Sequence, residues 1–147
     1  MTAIRTLVPD VKLGAVEINH KAVDILKQRE PNVKIYEDSL LNVDIEEQYD
    51  MVLIKGVLIH INPENLKTVY EKMYKLSKKY IVVVEYYSPI PISVNYRKNE
   101  DVLFKRDFAG ELMDLYTDLK LVDYGFVYHR DSVFPADDLN WFLLSKE

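Results

Sequence analysis

Four positions in this sequence carry groups suited to organising chemistry around strand ends: Glu17, Asp38, Gly56 and His60. Glu17 closes the run Val11-Lys-Leu-Gly-Ala-Val-Glu17, and Asp38 lies just past Val33-Lys-Ile-Tyr36. A carboxylate at the carboxyl end of a strand can accept both hydroxyls of a ribose, because two oxygens meet two O–H donors. Asp38 can take the amino group of a base, with the backbone N–H of Ser39 or Leu40 donating to a ring nitrogen. The same two acids also fit solvated strand ends, which any α/β protein has. The stretch Asp50-Met-Val-Leu-Ile-Lys-Gly-Val-Leu-Ile-His-Ile61, running on to Asn62 and Pro63, holds the other two positions. Met51 to Ile54 is too short for a helix and rich in branched residues, so it reads as a strand buried on both faces. Gly56 breaks the run, which is how a strand hands over to a loop at the end where open α/β sheets bind ligands.

The elements that must position these groups follow from periodicity. Thr2 to Val8 reads as a helix stopped by Pro9. Asn19 is the expected N-cap of a helix through about Arg29, with Ala22, Val23, Ile25 and Leu26 apolar. Glu30-Pro31-Asn32 is a turn. Asn65 to Ser77 is helical by spacing, with Leu66, Val69, Met73 and Leu76 on one face, and Tyr80-Ile-Val-Val-Val-Glu85 is the most strand-like run. Strands alternating with helices predict a mainly parallel sheet of βαβ units. Right-handed crossovers then put Glu17 and Asp38 at one sheet edge, on the side of Gly56 and Glu85. Tyr86 to Asn99, with Pro89 and Pro91, reads as a loop or irregular insertion. Lys105 to Tyr116 reads as a helix, and Lys120–Tyr128 and Asn140–Leu144 as an antiparallel strand pair.

Composition narrows the function classes. At 147 residues, 48% hydrophobic and 29% charged, the chain suits one globular domain with a real core. A net charge of -5 favours neither nucleic acid nor a membrane surface as partner. No apolar run approaches the roughly 18 residues that span a bilayer. The opening Met-Thr-Ala-Ile-Arg-Thr-Leu has no apolar h-region, so a cytoplasmic location is expected. The absence of cysteine excludes disulfides, thiolate metal sites and Cys nucleophiles, and no metal site is expected. Most of the eleven tyrosines lie from position 70 onward, which fits strand packing or a polar-tipped aromatic pocket.

Val16-Glu-Ile-Asn, Glu37-Asp-Ser-Leu and the Asp50–Pro63 stretch, in this strand–helix order, resemble class I S-adenosylmethionine-dependent methyltransferases. More narrowly, Glu85-Tyr-Tyr-Ser-Pro, Tyr96-Arg, Leu103-Phe-Lys-Arg-Asp-Phe-Ala-Gly-Glu and Asp123-Tyr-Gly-Phe-Val-Tyr-His-Arg-Asp resemble the methyltransferases associated with pseudaminic acid biosynthesis. The resemblance spans nearly the whole chain. It implies a Rossmann-like three-layer αβα fold, S-adenosyl-L-methionine as cofactor, and a small-molecule acceptor of the sugar or nucleotide-sugar type. By the same resemblance Glu17 binds the cofactor ribose, and Asp38 with Ser39 the adenine. Lys55, Gly56 and His60 lie by the methionine portion and the transferred methyl. Tyr86, Tyr87, Arg97, Lys105, Arg106, Tyr128 and His129 line the acceptor side. Methyl transfer is a displacement at a sulfonium carbon, so catalysis is mostly positioning and desolvation. A hydroxyl or amine acceptor must also lose a proton, and His60 is the expected base because imidazole titrates near neutral pH. A histidine behind an apolar turn also serves structurally. Arg97, Lys105 and Arg106 can hold an anionic acceptor or make ordinary surface ion pairs.

The chain departs from the family pattern at its start. That pattern opens with a strand and a Gly-rich loop, whereas the glycines here stand at 14, 56, 110 and 125 with no Gly-x-Gly. The expectation is a single methyltransferase-like domain over 1–147, N-terminally shortened, with the first strand of its sheet missing. A fragment, direct closure of the sheet, or a second copy covering the apolar surface around Val16 and Val52 would each accommodate the gap, so a homodimer is one expectation. The rival reading is a catalytically inactive remnant that binds a nucleoside or a partner protein.

Overall fold

Cap residues and strand partners set where each element begins and ends. The structure, a computed structural model, describes residues 1–96 and 99–147. The chain divides into two compact units, Met1–Ile45 and Glu46–Glu147.

In the amino-terminal unit, α1 (Thr2–Leu7), β1 (Gly14–Val16), α2 (His20–Arg29) and β2 (Lys34–Tyr36) follow in order. Asn19 caps α2 as expected: its Oδ1 accepts from the N–H of Lys21 at 3.0 Å and of Ala22 at 3.3 Å. Val23 is the fully buried residue of that helix. Glu30, buried just past its end, accepts from the Thr2 hydroxyl at 2.9 Å and from Arg5 Nε at 3.0 Å, which ties α1 to α2. β1 and β2 run parallel, Val16 opposite Tyr36. The strand expected over 11–17 is shorter, Gly14–Val16. Among the described residues its ladder partner is the equally short β2.

In the carboxy-terminal unit β3 (Tyr49–Lys55) leads through two short 3₁₀ turns, Leu58–His60 and Pro63–Asn65, into α3 (Leu66–Leu76) and β4 (Ser77–Glu85). Then come β5 (Ile92–Tyr96), β6 (Asn99–Lys105), α4 (Phe108–Leu115), β7 (Leu119–Val127) and β8 (Leu139–Lys146). The main sheet has the order β3-β4-β8-β7, with β3 parallel to β4 and the other two pairings antiparallel. The expected parallel βαβ unit and antiparallel carboxy-terminal pair are therefore present in one mixed sheet. α3 turns Leu66, Val69, Tyr70 and Met73 inward, each 0–2% exposed, and α4 turns in Phe108, Ala109 and Leu112. Both helices pack on β4. There Ile81 and Val83, with Ile54 and Leu144 beside them in the ladder, are almost wholly buried. Each such large side chain contributes about 1.5–3 kcal/mol of burial before entropy is charged against it.

Two expectations are corrected here. Residues 86–99 are not simply an irregular loop. Ile92–Tyr96 pairs antiparallel with Asn99–Lys105, Val94 opposite Leu103, and the prolines stop just before the first strand. Lys105 ends a strand rather than starting a helix; α4 begins at Phe108 because Asp107 caps it, accepting from the Gly110 N–H at 2.9 Å. A Cβ at Gly110 would overlap that carboxylate.

Candidate functional site

The carboxyl end of β3 is built by one glycine and one buried acid. Gly56 has φ +63°, in the left-handed region, and its N–H donates to Val84 C=O at 3.0 Å. An added Cβ there would meet nothing within 4 Å, so backbone conformation rather than space selects glycine. The chain then winds into the 3₁₀ turn Leu58–His60, whose amino-terminal N–H groups have no partner within the turn. Glu85, at the end of β4 and 2% exposed, supplies it: its Oε1 accepts from Val57 N–H at 2.8 Å and Leu58 N–H at 2.9 Å. Burial pushes the Glu85 carboxyl up from its ordinary range, against the pull of the Leu58, Val57 and Ile59 N–H groups and of His60. Its Oε2 is buried without a hydrogen-bond partner. Leu58 and Ile59 anchor the turn in the core, while His60 faces outward.

Beside this turn lies a cavity of about 500 Å³. Lys55, Gly56, His60, Tyr86 and Lys105, five residues singled out in the sequence, all line it. Lys105 Nζ stands 4.9 Å from the centre of the Tyr86 ring. Among the described residues the remaining wall is Ile59, Val94, Leu103 and Leu139, with the carboxylate of Asp137.

The other acceptor-side candidates are not part of this lining. Tyr87 packs on Phe142, with ring centroids 5.8 Å apart, and bridges to Arg106 through the backbone. Arg106 Nε is held by Glu111 Oε1 at 2.7 Å, and Tyr70 donates to the other oxygen of Glu111 at 2.7 Å. That pairing belongs to a separate hollow lined by Tyr70, Arg106 and Glu111. Tyr128 and His129 are exposed in the β7–β8 connection, where the Asp138 carboxylate accepts from the His129 backbone N–H at 3.0 Å and meets its ring nitrogen. Those contacts hold the Asp138 carboxyl below its usual range. Arg97 lies outside the described residues.

In the amino-terminal unit, Glu17 and Asp38 both follow the carboxyl ends of the parallel strands β1 and β2, as expected. The half-buried Glu17 accepts from Asn19 N–H at 2.7 Å, and the exposed Asp38 from Ser39 N–H at 2.6 Å. His20 Nδ1 meets Glu37 Oε1, which raises the imidazole above its ordinary 6.5, with Asp24 adding to the effect.

Sequence reasoning missed Asp137, Val94 and Leu103. Asp137 sits in a polar connection with no periodicity. Val94 could have been found from the alternation in Ile92-Ser-Val-Asn-Tyr96, which is a strand signal.

No family model and no curated protein sequence matches the chain. Its fold is that of class I S-adenosylmethionine-dependent methyltransferases: an α/β Rossmann-type arrangement with mixed sheets and an antiparallel carboxy-terminal pair. One solved structure it is similar to is the 1,6-didemethyltoxoflavin-N1-methyltransferase of Burkholderia thailandensis, bound to 1,6-didemethyltoxoflavin and S-adenosylhomocysteine. The TM-score is 0.73 at 14% identity, over 98% of this chain and 65% of that one. The N-methyltransferase NodS of Bradyrhizobium japonicum WM9, in complex with S-adenosyl-L-homocysteine, gives 0.66 at 14% identity, over 92% and 66%. The magnesium protoporphyrin IX methyltransferase of Synechocystis PCC 6803, with bound SAM, gives 0.69 at 11% identity, over 93% and 60%. The chain thus spans a little under two thirds of the length of these proteins.

Proposed function

We propose that this chain is an S-adenosylmethionine-dependent methyltransferase acting on a small molecule, a sugar or nucleotide-sugar of the pseudaminic acid type. The observation that carries the reading is the Gly56 turn at the carboxyl end of β3, which brings Lys55, Gly56, His60, Tyr86 and Lys105 around one cavity in a methyltransferase fold. The residues present fit the cofactor. Gly56 offers open backbone where its absent side chain leaves nothing within 4 Å. In the amino-terminal unit, Glu17 and Asp38 offer strand-end carboxylate oxygens, the chemistry that ribose hydroxyls and an adenine amino group call for.

When bound, S-adenosylmethionine supplies an electrophilic methyl group on a sulfonium. The chain's own part is to hold and dry the acceptor and to move one proton. In this proposal Glu17 receives the ribose hydroxyls, and Asp38 and Ser39 the adenine. Lys55 and Gly56 flank the methionine portion. Tyr86 and Lys105 present the acceptor, and the apolar wall of Ile59, Val94, Leu103 and Leu139 excludes water from it. His60, exposed on the cavity lining, takes the proton that a hydroxyl or amine acceptor loses. Tyr87, Arg97, Arg106, Tyr128 and His129 keep their acceptor-side assignment as part of the same proposal.

Calorimetric titration of the 147-residue chain with S-adenosylhomocysteine is the test. Saturable binding, weakened roughly tenfold to a hundredfold by Glu17→Ala as expected for a lost hydrogen bond to a charged group, supports the reading. Absence of binding to both S-adenosylmethionine and S-adenosylhomocysteine overturns it.

A further inference from the structure

The carboxylate of Asp137 has no part in the chemistry above, yet the fold spends a strained residue beside it. The segment Ala136-Asp-Asp-Leu139 leads into β8, and its side chains part at Asp138. Asp137 and Leu139 line the cavity, while Asp138 reaches across the β7–β8 connection to His129. Asp138 Oδ1 accepts from the His129 backbone N–H at 3.0 Å, and its Oδ2 meets His129 Nδ1 at 2.8 Å. The Tyr128 ring lies edge-on to the imidazole, with centroids 4.8 Å apart. Tyr128 C=O accepts from Ala136 N–H at 3.3 Å, and Ala136 C=O from Asp138 N–H at 2.9 Å, so the two ends of the connection are also tied through the backbone. Among the described residues Asp138 is the one non-glycine residue with positive φ, at 49°. A residue with a Cβ is disfavoured there, aspartate less than most, and keeps that conformation where its surroundings impose it. The grip on His129 supplies that constraint, and it fixes the direction of the residues on either side.

We propose that Asp137 is a further acceptor-binding residue, taking a hydrogen bond from a hydroxyl or amine of the acceptor, and that the His129–Asp138 pair is the positioning device that keeps it on the cavity lining. The assignment rests on reading the cavity as the acceptor site and adds to it one residue and its support. An ionised carboxylate only accepts hydrogen bonds, so it selects O–H and N–H donors, and it binds them more strongly than a neutral oxygen does. The two adjacent acids are not interchangeable. Asp138 has both oxygens on His129, whereas Asp137 is exposed on the lining. His129 then serves the acceptor side through Asp138 and Asp137, without touching the acceptor.

The test titrates the full chain with pseudaminic acid and with its CMP-linked form, each with and without saturating S-adenosylhomocysteine. Asp137→Ala, His129→Ala and Asp138→Gly are each expected to weaken the better-bound probe about tenfold or more, as for one lost hydrogen bond to a charged group. Glycine takes positive φ freely, so Asp138→Gly keeps the backbone and removes only the grip on His129. Asp138→Asn keeps an oxygen for the His129 N–H and should recover most of what the glycine variant loses. The deciding readout is the double variant. His129→Ala should cost no further affinity in an Asp137→Ala background, since both act through one hydrogen bond, whereas a connection merely loosened would add its own loss. Undiminished binding in Asp137→Ala or His129→Ala, equal losses in the asparagine and glycine variants, or additive losses in the double variant overturns the proposal and leaves the methyltransferase reading in place. Binding of neither probe at millimolar concentration overturns it together with the sugar acceptor. The expected pattern among the variants without any S-adenosylhomocysteine binding would leave Asp137 its role while the methyltransferase reading fell.

Discussion

Replacing Glu85 by alanine should unfold the turn that carries His60, and the size of the effect follows from the donors left behind. Glu85 accepts from the N–H groups of Val57 and Leu58. Val57 is 38% exposed and can turn to water, but Leu58 is 0% exposed. One buried donor therefore loses its acceptor, so Glu85→Ala should cost about 1–3 kcal/mol. Glu85→Gln keeps a carbonyl oxygen for the same donors and removes a charge that burial disfavours, so it should stay within about 1 kcal/mol of the wild type at neutral pH. The pH dependence has a definite sign. The folded carboxyl is raised above its ordinary 4.5, so its protonation favours the folded state. That contribution is full below pH 4.5 and is lost as pH rises through the raised value; the wild type should therefore lose stability relative to Glu85→Gln over that interval. Urea unfolding followed by the single tryptophan, Trp141, reads this directly, since Trp141 pairs with Val84 in the adjoining strand. An alanine variant no less stable than the glutamine variant would refute the clamp.

Other outcomes follow from equally local geometry. Lys146 Nζ donates to the carbonyls of Tyr74 and Ser77, both at 2.6 Å, and caps the end of α3, so Lys146→Met should cost about 1–3 kcal/mol in thermal or urea unfolding. Gly125 lies under Trp141, where a Cβ would come 2.7 Å from indole Nε1; Gly125→Ala should cost about 1–3 kcal/mol and shift the tryptophan emission, and an unchanged spectrum would contradict the contact. The raised His20 imidazole stabilises the folded amino-terminal unit below pH 6.5, and this is lost as pH rises through its higher folded value; NMR titration should show Glu37→Gln bringing that value down. Among the described residues β3 has one neighbour in its sheet, and it exposes Met51 and Leu53 at 44% and 48%, so the chain should run as a dimer by light scattering and Leu53→Glu should weaken it; a folded monomer at micromolar concentration would refute that.

What was legible in the sequence is what is decided within a few residues. Asn19 capped α2, the branched run ending at Lys55 formed β3, and Gly56 took the left-handed turn, because each choice depends on the chain's own neighbours. The β5–β6 hairpin was illegible for a related reason: Pro89 and Pro91 are loud local signals, and they masked a short alternating run just beyond them. Lys105 was assigned to a helix because the apolar spacing of α4 continues backward, whereas the cap at Asp107 stops it two residues later.

The site divides along the same line. Gly56 and His60 could be read from one stretch, but the group that fixes their geometry stands 28 positions from Val57 and 27 from Leu58. Glu85 is a second acid at the end of a strand-like run, alike in type to Glu17. The structure separates the two by burial. Glu17 is half-buried at a strand end, whereas Glu85 is 2% exposed with an oxygen already committed to backbone donors. Each acid spends one oxygen on backbone donors, Glu17 on Asn19 N–H and Glu85 on Val57 and Leu58 N–H, so what decides is whether the fold leaves the carboxylate open to a ligand. By that criterion Glu17 is the candidate for a ligand, and Glu85 is the residue that holds the turn where the proposed chemistry takes place.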